Sequence, residues 1–182
     1  MLRRSLLTSA IAASLLTTFS LPAFATQVYE TDLVIIGGGL SGLAAAQSAV
    51  DQGAKPIVLE KEAALGGGGN FPEGSLGVGT RYQKEHNINT TVDQVLTAAL
   101  QYHHYRADPH VLRVLIEESG KTIDWVMDKG AQMRGIRTMY PKDESLMTWH
   151  LFKGGAAGII QRFAKEVRAK GGTILTETPA QK

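Results

Sequence analysis

Hydrophobic positions in the first third of the chain form two short β-branched runs with an alanine-rich stretch between them. The runs cover residues 32–36 and 57–59, and each is typical of a strand buried on both faces of a parallel sheet. Residues 41–52 predict a helix, and Gly53 stands where a left-handed glycine often closes one. Strand, helix and second strand within about thirty residues predict a βαβ unit.

A glycine-rich loop follows at residues 65–80, which contain seven glycines. Because glycine loses the most backbone entropy on folding, these residues predict irregular structure rather than a helix or strand. Such a loop in a compact domain often serves a ligand. A flexible linker is the alternative, but Phe71, Leu76 and Val78 lie between the glycines, and linkers seldom carry such apolar side chains.

Helical periodicity dominates from residue 91 to residue 130. Thr91 and Gln94 form a capping box for a helix that ends near residue 102. Asp108 before Pro109 predicts the start of a second helix, which ends near residue 119.

A third, short helix is predicted at residues 122–129, and Trp125 is interpreted as one of its core residues.

Residues 135–148 predict irregular structure that includes a solvated turn at 141–144. The remaining regular elements are a helix at residues 154–170 and a strand at residues 173–176.

The first 25 residues differ from the rest in composition. Arg3 and Arg4 form a basic start, an apolar run follows, and Ala23, Phe24 and Ala25 form an A-x-A cleavage site. These features predict a secretory signal peptide over residues 1–25 and a periplasmic or secreted mature protein. A membrane anchor is the alternative, but serines and threonines dilute the apolar run, so we expect cleavage and no stable membrane insertion.

Charge and cysteine content exclude several classes of function. Removing the two leader arginines from the 19 basic residues leaves 17, which equals the number of acidic residues. The mature chain therefore lacks the basic balance typical of a nucleic-acid partner. The sequence contains no cysteine, which excludes disulfides, thiolate metal sites and C-x-x-C-H haem attachment within these residues. Any haem in an electron path would belong to another polypeptide.

Three glycines between the first strand and the helix have the spacing G-x-G-x-x-G. Gly37 would form the tight turn, Gly39 would let the backbone approach a pyrophosphate, and Gly42 would let the helix lie close to the sheet. The helix start at Leu40 and Ser41 would present unpaired N–H groups to that anion.

An acidic residue completes the pattern at the end of the second strand. Glu60 follows Gly42 by eighteen residues. A carboxylate in this position accepts hydrogen bonds from ribose hydroxyls and repels a phosphorylated ribose. Glycine turn and acid together predict a dinucleotide site, although their spacing fits FAD and NAD equally.

The stretch "TDLVIIGGGLSGLAAAQSAVDQGAKPIVLEKEAALGGGGNFPEGSLGVGT" resembles the N-terminal part of the FAD-binding fumarate reductase and succinate dehydrogenase flavoprotein family, above all its soluble, exported flavocytochrome c branch. "ADPHVLRVLIEESGKTIDWVMDKGAQM" resembles that family's helical insert, and "WHLFKGGAAGIIQRFAKEVRAKGGTILTETPAQ" resembles its return to the FAD domain. The resemblance implies an α/β, Rossmann-like FAD-binding βαβ domain with a helical insert, in truncated form. Its segments would be residues 26–80, 81–147 and 148–182, the last incomplete.

The resemblance also implies further cofactor contacts. Glu60 and Lys61 lead into a G-G-N loop that contains Gly69 and Asn70, and the loop reaches a small-residue segment that ends at Gly77 and lies against the flavin. Ala180 would meet the adenine, and His150 matches a position near the flavin side, where a structural histidine is the alternative. The histidine motif for covalent flavin is absent, so the resemblance implies non-covalent FAD.

The activity implied by the family is hydride transfer from flavin N5 to an enoate such as fumarate. Electrons would come from a separate carrier protein such as a cytochrome. The family's proton-donating arginine lies in its distal half, so we assign no catalytic residue here. The alternatives are a catalytically incomplete fragment that retains part of the dinucleotide site, and a small NAD-binding module, which would not need the G-G-N loop. The histidines His103, His104 and His110 are interpreted as surface residues, and no metal site is expected.

Overall fold

The computed structural model describes residues 27–139 and 146–181. The predicted signal peptide over residues 1–25 and the predicted turn at 141–144 lie outside the described residues. The unit that begins at Thr31 contains every helix and strand of the described residues. In chain order these elements are β1 (Leu33–Ile36), α1 (Leu40–Asp51), β2 (Pro56–Leu59), a short 3-10 turn (Gly67–Asn70), β3 (Gly74–Leu76), α2 (Arg81–Glu85), α3 (Val92–Tyr102), α4 (Pro109–Asp128), β4 (Met133–Thr138), β5 (Met147–Phe152), α5 (Gly155–Ala169) and β6 (Thr173–Leu175).

A parallel sheet of order β1-β2-β6 forms the nucleotide-fold part of the unit. Val58 in the central strand pairs with Ile35 on one side and with Ile174 on the other. Helices α1 and α5 cover one face of this sheet, where Val58 and Val167 are fully buried. The predicted βαβ unit and the α/β fold class are therefore confirmed, with element ends within a residue or two of the prediction.

An antiparallel sheet of order β3-β5-β4 lies in the region that the sequence predicted to be irregular. The prediction for residues 135–148 was wrong where β4 and β5 form. In β5 the buried positions alternate, at Thr148, His150 and Phe152. Two of these three inward side chains are polar, so the strand lacks the hydrophobic period that normally marks one.

The glycine-rich loop contains more regular structure than expected. It includes the 3-10 turn at Gly67–Asn70 and strand β3 at Gly74–Leu76. A Cβ atom on Gly74 would lie 2.0 Å from the backbone oxygen of His150. Strand β3 approaches β5 too closely for a side chain at this position. This steric requirement outweighs the low strand propensity of glycine.

Helix α4 is continuous, whereas the sequence predicted two helices with a break near residues 119–122. Ser119 and Gly120 lie inside the helix and contact the segment that follows β3. The Ser119 hydroxyl accepts a hydrogen bond from the Val78 N–H at 3.1 Å, and a Cβ on Gly120 would lie 2.1 Å from the Val78 oxygen. Ser119 and Gly120 therefore pack α4 against the Val78 backbone, and the helix continues through them.

Other helix predictions are confirmed. Thr91 and Gln94 form the reciprocal capping box of α3, and Asp108 caps α4 ahead of Pro109. Trp125 packs against Phe163 of α5 with ring centroids 5.2 Å apart, as expected for a core residue. Within residues 27–139 and 146–181, no helix has the length and apolar character needed to cross a bilayer.

Candidate functional site

A groove of about 660 Å³ opens where β1 and β2 end and α1 begins. In parallel α/β sheets, ligands bind at this carboxyl edge of the strands. The groove is lined by Ile36, Gly37, Gly39, Leu40, Ser41, Gly42, Glu60, Lys61, Glu62, Gly66, Gly67, Gly68 and Gly69.

Two glycines of the turn are required by the fold itself. Gly37 has a φ of +101°, a conformation that favours glycine, and its N–H donates to the Leu59 oxygen at 2.7 Å. A Cβ on Gly42 would lie 2.0 Å from the Gly37 oxygen, so only glycine lets α1 start this close to the turn.

Gly39 is different, because the protein itself leaves room for a side chain there. The nearest atom to a Cβ on Gly39 would be the Gly66 oxygen at 3.7 Å, which is an ordinary van der Waals contact. Its backbone φ of −74° is also open to any residue. A side chain at Gly39 would stand on the groove wall, so glycine here fits a ligand that approaches the backbone closely.

The start of α1 offers backbone donors to the groove. The first intrahelical hydrogen bond at this end joins the Leu43 N–H to the Gly39 oxygen at 2.9 Å. The N–H groups of Leu40, Ser41 and Gly42 precede it and have no acceptor within the helix, and no side chain caps them. Together with the helix dipole they form a site suited to the pyrophosphate of a dinucleotide.

Glu60 is held in place by the backbone on both sides. Its side chain is buried, Oε1 accepts from the Glu62 N–H at 2.9 Å, and Oε2 accepts from the Gly38 N–H at 2.7 Å. These two hydrogen bonds lower the pKa of Glu60 and outweigh the opposite effect of burial. The Lys61 N–H adds a third, weaker contribution, and a carboxylate has about four acceptor positions, so Glu60 can still accept from the ribose.

Sequence reasoning missed Gly38, the middle glycine of the turn. Its N–H binds Glu60, its carbonyl accepts from the Gly66 N–H at 2.9 Å, and a Cβ on it would lie 2.5 Å from Leu65. Gly38 therefore connects the turn, the acid and the glycine-rich loop. The sequence does contain a signal for Gly38. The G-x-G-x-x-G motif allows any residue between its first two glycines, yet a third glycine stands there.

The glycine-rich loop forms the second wall of the groove. Gly66 forms a parallel bridge with Gly39 and has a φ of +106°. Gly69 lies against Leu40 and Ile160, whose atoms would be 3.2 and 3.3 Å from an added Cβ. The ligand-binding interpretation of this loop is thus supported by its position, because four consecutive glycines line the groove.

The structure brings together most of the predicted site residues, but not all of them. Lys61 lines the groove, and its ammonium lies 3.5 Å from Glu62. Asn70 is exposed outside the groove lining, and its amide donates to the Leu65 oxygen at 2.9 Å, which braces the turn. Gly77 lies in the antiparallel sheet, where a Cβ would meet His150 and Ile123 at 2.8 Å. Direct cofactor contacts of Asn70 and Gly77 stay predictions.

His150 is fully buried beneath the antiparallel sheet. Its Nδ1 lies 3.0 Å from the Thr148 carbonyl, which can only accept, so Nδ1 carries the proton. Its Nε2 then accepts from the Thr80 hydroxyl at 2.9 Å. Burial lowers the pKa of His150. Both ring nitrogens are satisfied within the protein, which favours a structural role over contact with cofactor or substrate.

The three clustered histidines are exposed, as predicted. His103, His104 and His110 lie on the surface around the α3–α4 connection. Across the part of the chain that the structure describes, no group of three histidine, aspartate or glutamate side chains is arranged to hold a metal ion.

Comparison with known families decides which dinucleotide fits this groove. Residues 32–182 match the family described as FAD binding domain. The chain belongs to this FAD-binding family. FAD is accordingly its cofactor, and the groove fits the group: donors at the start of α1 for the pyrophosphate, open space at Gly39, and Glu60 for a ribose.

Its relatives include several reductases. The chain is 35% identical over 150 residues to the vinyl phenol reductase of Lactiplantibacillus plantarum, an alignment that covers 82% of this chain and 30% of that protein. It is 31% identical to the NADH:fumarate oxidoreductase of Klebsiella pneumoniae, over 72% of this chain and 15% of that one. It is also 31% identical to the fumarate reductase (cytochrome) of Shewanella frigidimarina, over 64% of this chain and 21% of that protein.

Solved structures agree on the fold. A flavocytochrome c3 fumarate reductase in its open conformation superposes with a TM-score of 0.68 at 21% identity, covering 81% of this chain and 26% of that one. The 3-ketosteroid dehydrogenase of Rhodococcus jostii superposes with a TM-score of 0.67 at 20% identity, covering 85% of this chain and 39% of that one. The FAD-binding domain described here thus spans less than a third of the length of the curated relatives named above.

Proposed function

We propose that this chain forms the nucleotide-binding part of an FAD-dependent reductase acting on activated carbon–carbon double bonds. The observation that carries the proposal is the combination at the groove of α1 N–H groups that have no acceptor within the helix, open space at Gly39, and a backbone-held Glu60. This arrangement can hold the pyrophosphate and the adenosine ribose of FAD at a fixed separation.

Each wall of the groove has a separate task in this proposal. The N–H groups of Leu40, Ser41 and Gly42 bind the pyrophosphate, and no acidic side chain in the first turn of α1 opposes it. Glu60, ionised because its pKa is lowered, accepts the ribose hydroxyls and disfavours a phosphorylated ribose. The loop from Gly66 to Gly69 approaches the cofactor with backbone alone, so no side chain projects from that wall of the groove.

The reaction class is inferred from the relatives. Several are named as reductases, of vinyl phenol in one case and of fumarate in others, and both compounds contain a carbon–carbon double bond. When bound and reduced by an electron donor, the flavin would supply a hydride from its N5 position. The residues described here bind and orient the cofactor, and we assign none of them to proton transfer with substrate.

Further parts of the proposal concern the setting of the enzyme. We infer export to the periplasm or beyond from the leader pattern of residues 1–25. One relative is named as a fumarate reductase (cytochrome), so we propose a separate carrier such as a cytochrome as the source of electrons for the flavin. The cofactor is bound without a covalent link, and the substrate is a small enoate.

The experiment is reconstitution of the purified chain with FAD, followed by gel filtration and visible absorbance. We expect retained flavin, and much weaker binding of NAD measured by calorimetry. Glu60→Gln should weaken FAD binding by about tenfold, or about 1.4 kcal/mol. Glu117→Gln, which removes an exposed carboxylate on α4, is the matched control and should bind FAD like the unaltered chain. A chain that retains no flavin would contradict the proposal.

A further inference from the structure

A second cavity, of about 340 Å³, opens on the antiparallel sheet at the end of β4. Its volume is about half that of the cofactor groove, and none of its described lining residues also lines the groove. Small-molecule pockets typically range from about 300 to 1,000 Å³, so this cavity suits a ligand much smaller than a dinucleotide. Its lining consists of Arg137, Thr138, Met139 and Trp149.

The pairing of β4 with β5 is irregular at this cavity. Side chains of a regular strand alternate between two faces, yet the three consecutive residues 137–139 line the same cavity. Arg137 pairs with Trp149, whereas Thr138 pairs with Met147, so β5 advances two residues while β4 advances one. Such bulges are frequent beside binding sites, where they redirect a side chain. The bulge therefore explains how neighbouring residues of β4 come to face one cavity.

Two hydrogen-bond donors on the cavity wall have unused capacity. The Arg137 side chain is 59% exposed, and its ion-pair partner among the described residues is Glu73, at 3.8 Å. That distance is too long for a hydrogen bond, and Glu73 instead accepts from Arg134 at 3.2 Å. Two guanidinium groups thus share one carboxylate, which leaves one net positive charge on these three side chains. The indole N–H of Trp149 also has no acceptor within residues 27–139 and 146–181.

The lining combines one cation with apolar surface. A guanidinium binds a carboxylate through two parallel hydrogen bonds. The Trp149 ring and the Met139 thioether both make favourable contacts with an aromatic ring. No acidic side chain is among the described lining residues, so none of them repels an anion. We propose that this cavity binds a small aromatic carboxylate, with the carboxylate on Arg137 and the ring against Trp149 and Met139.

The experiment is calorimetric titration of the purified chain with 3-phenylpropionate. We expect saturable binding at one site with a Kd below about 1 mM. Two analogues separate the parts of the ligand. The amide 3-phenylpropanamide keeps the ring without the charge, and propionate keeps the charge without the ring. Each analogue should bind at least about tenfold more weakly, because each lacks one of the two contacts.

Substitution of the cation tests its place in the site. Arg137→Gln should weaken binding of 3-phenylpropionate by at least about tenfold. Arg113→Gln is the matched control, because it removes the same charge from an exposed arginine on α4 and should bind like the unaltered chain. If Arg137→Gln fails to fold, the comparison of acid with amide in the unaltered chain still tests the charge contact.

Tryptophan fluorescence locates the ligand within the chain. The sequence contains two tryptophans, Trp125 and Trp149. Because the ring of the ligand is placed against Trp149, 3-phenylpropionate should change the emission of the unaltered chain. In Trp149→Phe the remaining fluorophore is Trp125, which packs on Phe163 in the core, and its emission should not respond.

An arylacrylate and its reduced product share the chemistry of this ligand, so 3-phenylacrylate is titrated beside 3-phenylpropionate. Tighter binding of the acrylate would identify a substrate as the ligand, and tighter binding of the propionate a product. This comparison alone rests on the proposed reductase function.

Four results would overturn the proposal. They are no binding at several times the expected Kd, equal affinity for the acid and the amide, unchanged affinity in folded Arg137→Gln, and a fluorescence response that persists in Trp149→Phe. None of these measurements requires bound FAD, so a failure here is separate from a failure of the proposed cofactor function.

Discussion

The N–H of Gly38 donates a 2.7 Å hydrogen bond to the Glu60 carboxylate, which joins the turn after β1 to the acid at the end of β2. The two ends of the nucleotide groove are therefore one unit. A shift of the acid displaces the turn that starts α1, and a shift of the turn displaces the acid. Binding of pyrophosphate and binding of ribose should then be lost together rather than separately.

Replacing Glu60 should change the acid stability of the protein as well as cofactor binding. The lowered pKa of Glu60 means that the unfolded chain binds more protons as the pH falls below its ordinary value of 4.5. Its contribution is complete above that pH and is lost as the pH falls through the lower, folded-state pKa. Glu60→Gln should reduce the free energy of unfolding by about 1–2 kcal/mol at pH 7, and the difference should shrink in acid. Urea unfolding at pH 7 and at pH 3 measures both values, and equal differences at the two would contradict this explanation.

Alanine at Gly39 should weaken FAD binding, whereas alanine at Gly42 should lower the stability of the fold. The protein leaves 3.7 Å for a Cβ at Gly39, so Gly39→Ala should change the free energy of unfolding by less than about 1 kcal/mol. It should still weaken FAD binding by at least about tenfold, because the methyl group occupies the groove wall. Gly42→Ala puts a methyl group 2.0 Å from the Gly37 oxygen and should cost about 2 kcal/mol or more of stability.

Thermal unfolding and FAD titration of these two glycine variants separate the two effects. Unaltered FAD affinity in a folded Gly39→Ala protein would argue against pyrophosphate binding at this turn.

His150 should make stability depend on pH near neutrality. Burial lowers its pKa from the ordinary 6.5, with hydrogen bonding to Thr148 and the charge of Asp124 acting in the opposite direction. Below pH 6.5 the unfolded chain takes up a proton that folded His150 resists, so the free energy of unfolding should fall as the pH drops from 7 to 5. His150→Gln should show a smaller fall over the same range. Matching slopes for the two proteins in urea unfolding would contradict a neutral, buried His150.

Asp51 should stabilise the junction of three helices. It accepts from Lys170 at 2.6 Å and from Lys129, and so ties the end of α1 to the ends of α4 and α5. Burial by itself raises the pKa of Asp51, but hydrogen bonds from Lys129, Lys170 and Gln47 outweigh it and lower the pKa to about 2. Because solvent screens this exposed carboxylate, Asp51→Asn should cost only about 1 kcal/mol at pH 7.

The benefit of Asp51 should disappear as the pH falls from about 4 to about 2, since its ordinary pKa is 3.8. Asp93→Asn is a suitable control, because that carboxylate pairs with Arg113 at an exposed site and should contribute less. A larger loss for the control in urea unfolding at pH 7 would contradict the predicted role of Asp51.

Site residues could be predicted from the sequence where their contacts lie close along the chain, and not where the contacts join distant segments. Gly37, Gly42 and Glu60 interact with neighbours within one βαβ unit, so their spacing along the chain was sufficient to predict where they lie at the turn, and their contacts with the cofactor stay predictions. Gly77 was assigned by resemblance, and its surroundings depend on His150, seventy-three residues away, which no local pattern reports. The same is true of Gly120, whose contact with the Val78 backbone keeps α4 continuous.

The sequence by itself determined the βαβ unit, the capped helices and the type of ligand edge, because these depend on periodicity, caps and glycine placement over short distances. Tertiary structure decided the antiparallel sheet, the length of α4 and the neutral state of His150, because each arises from contacts between segments distant in the chain. It also decided that Gly38 holds Glu60 and that Arg137 and Trp149 line one cavity, since strand register and close backbone approach exist only once the sheets have formed.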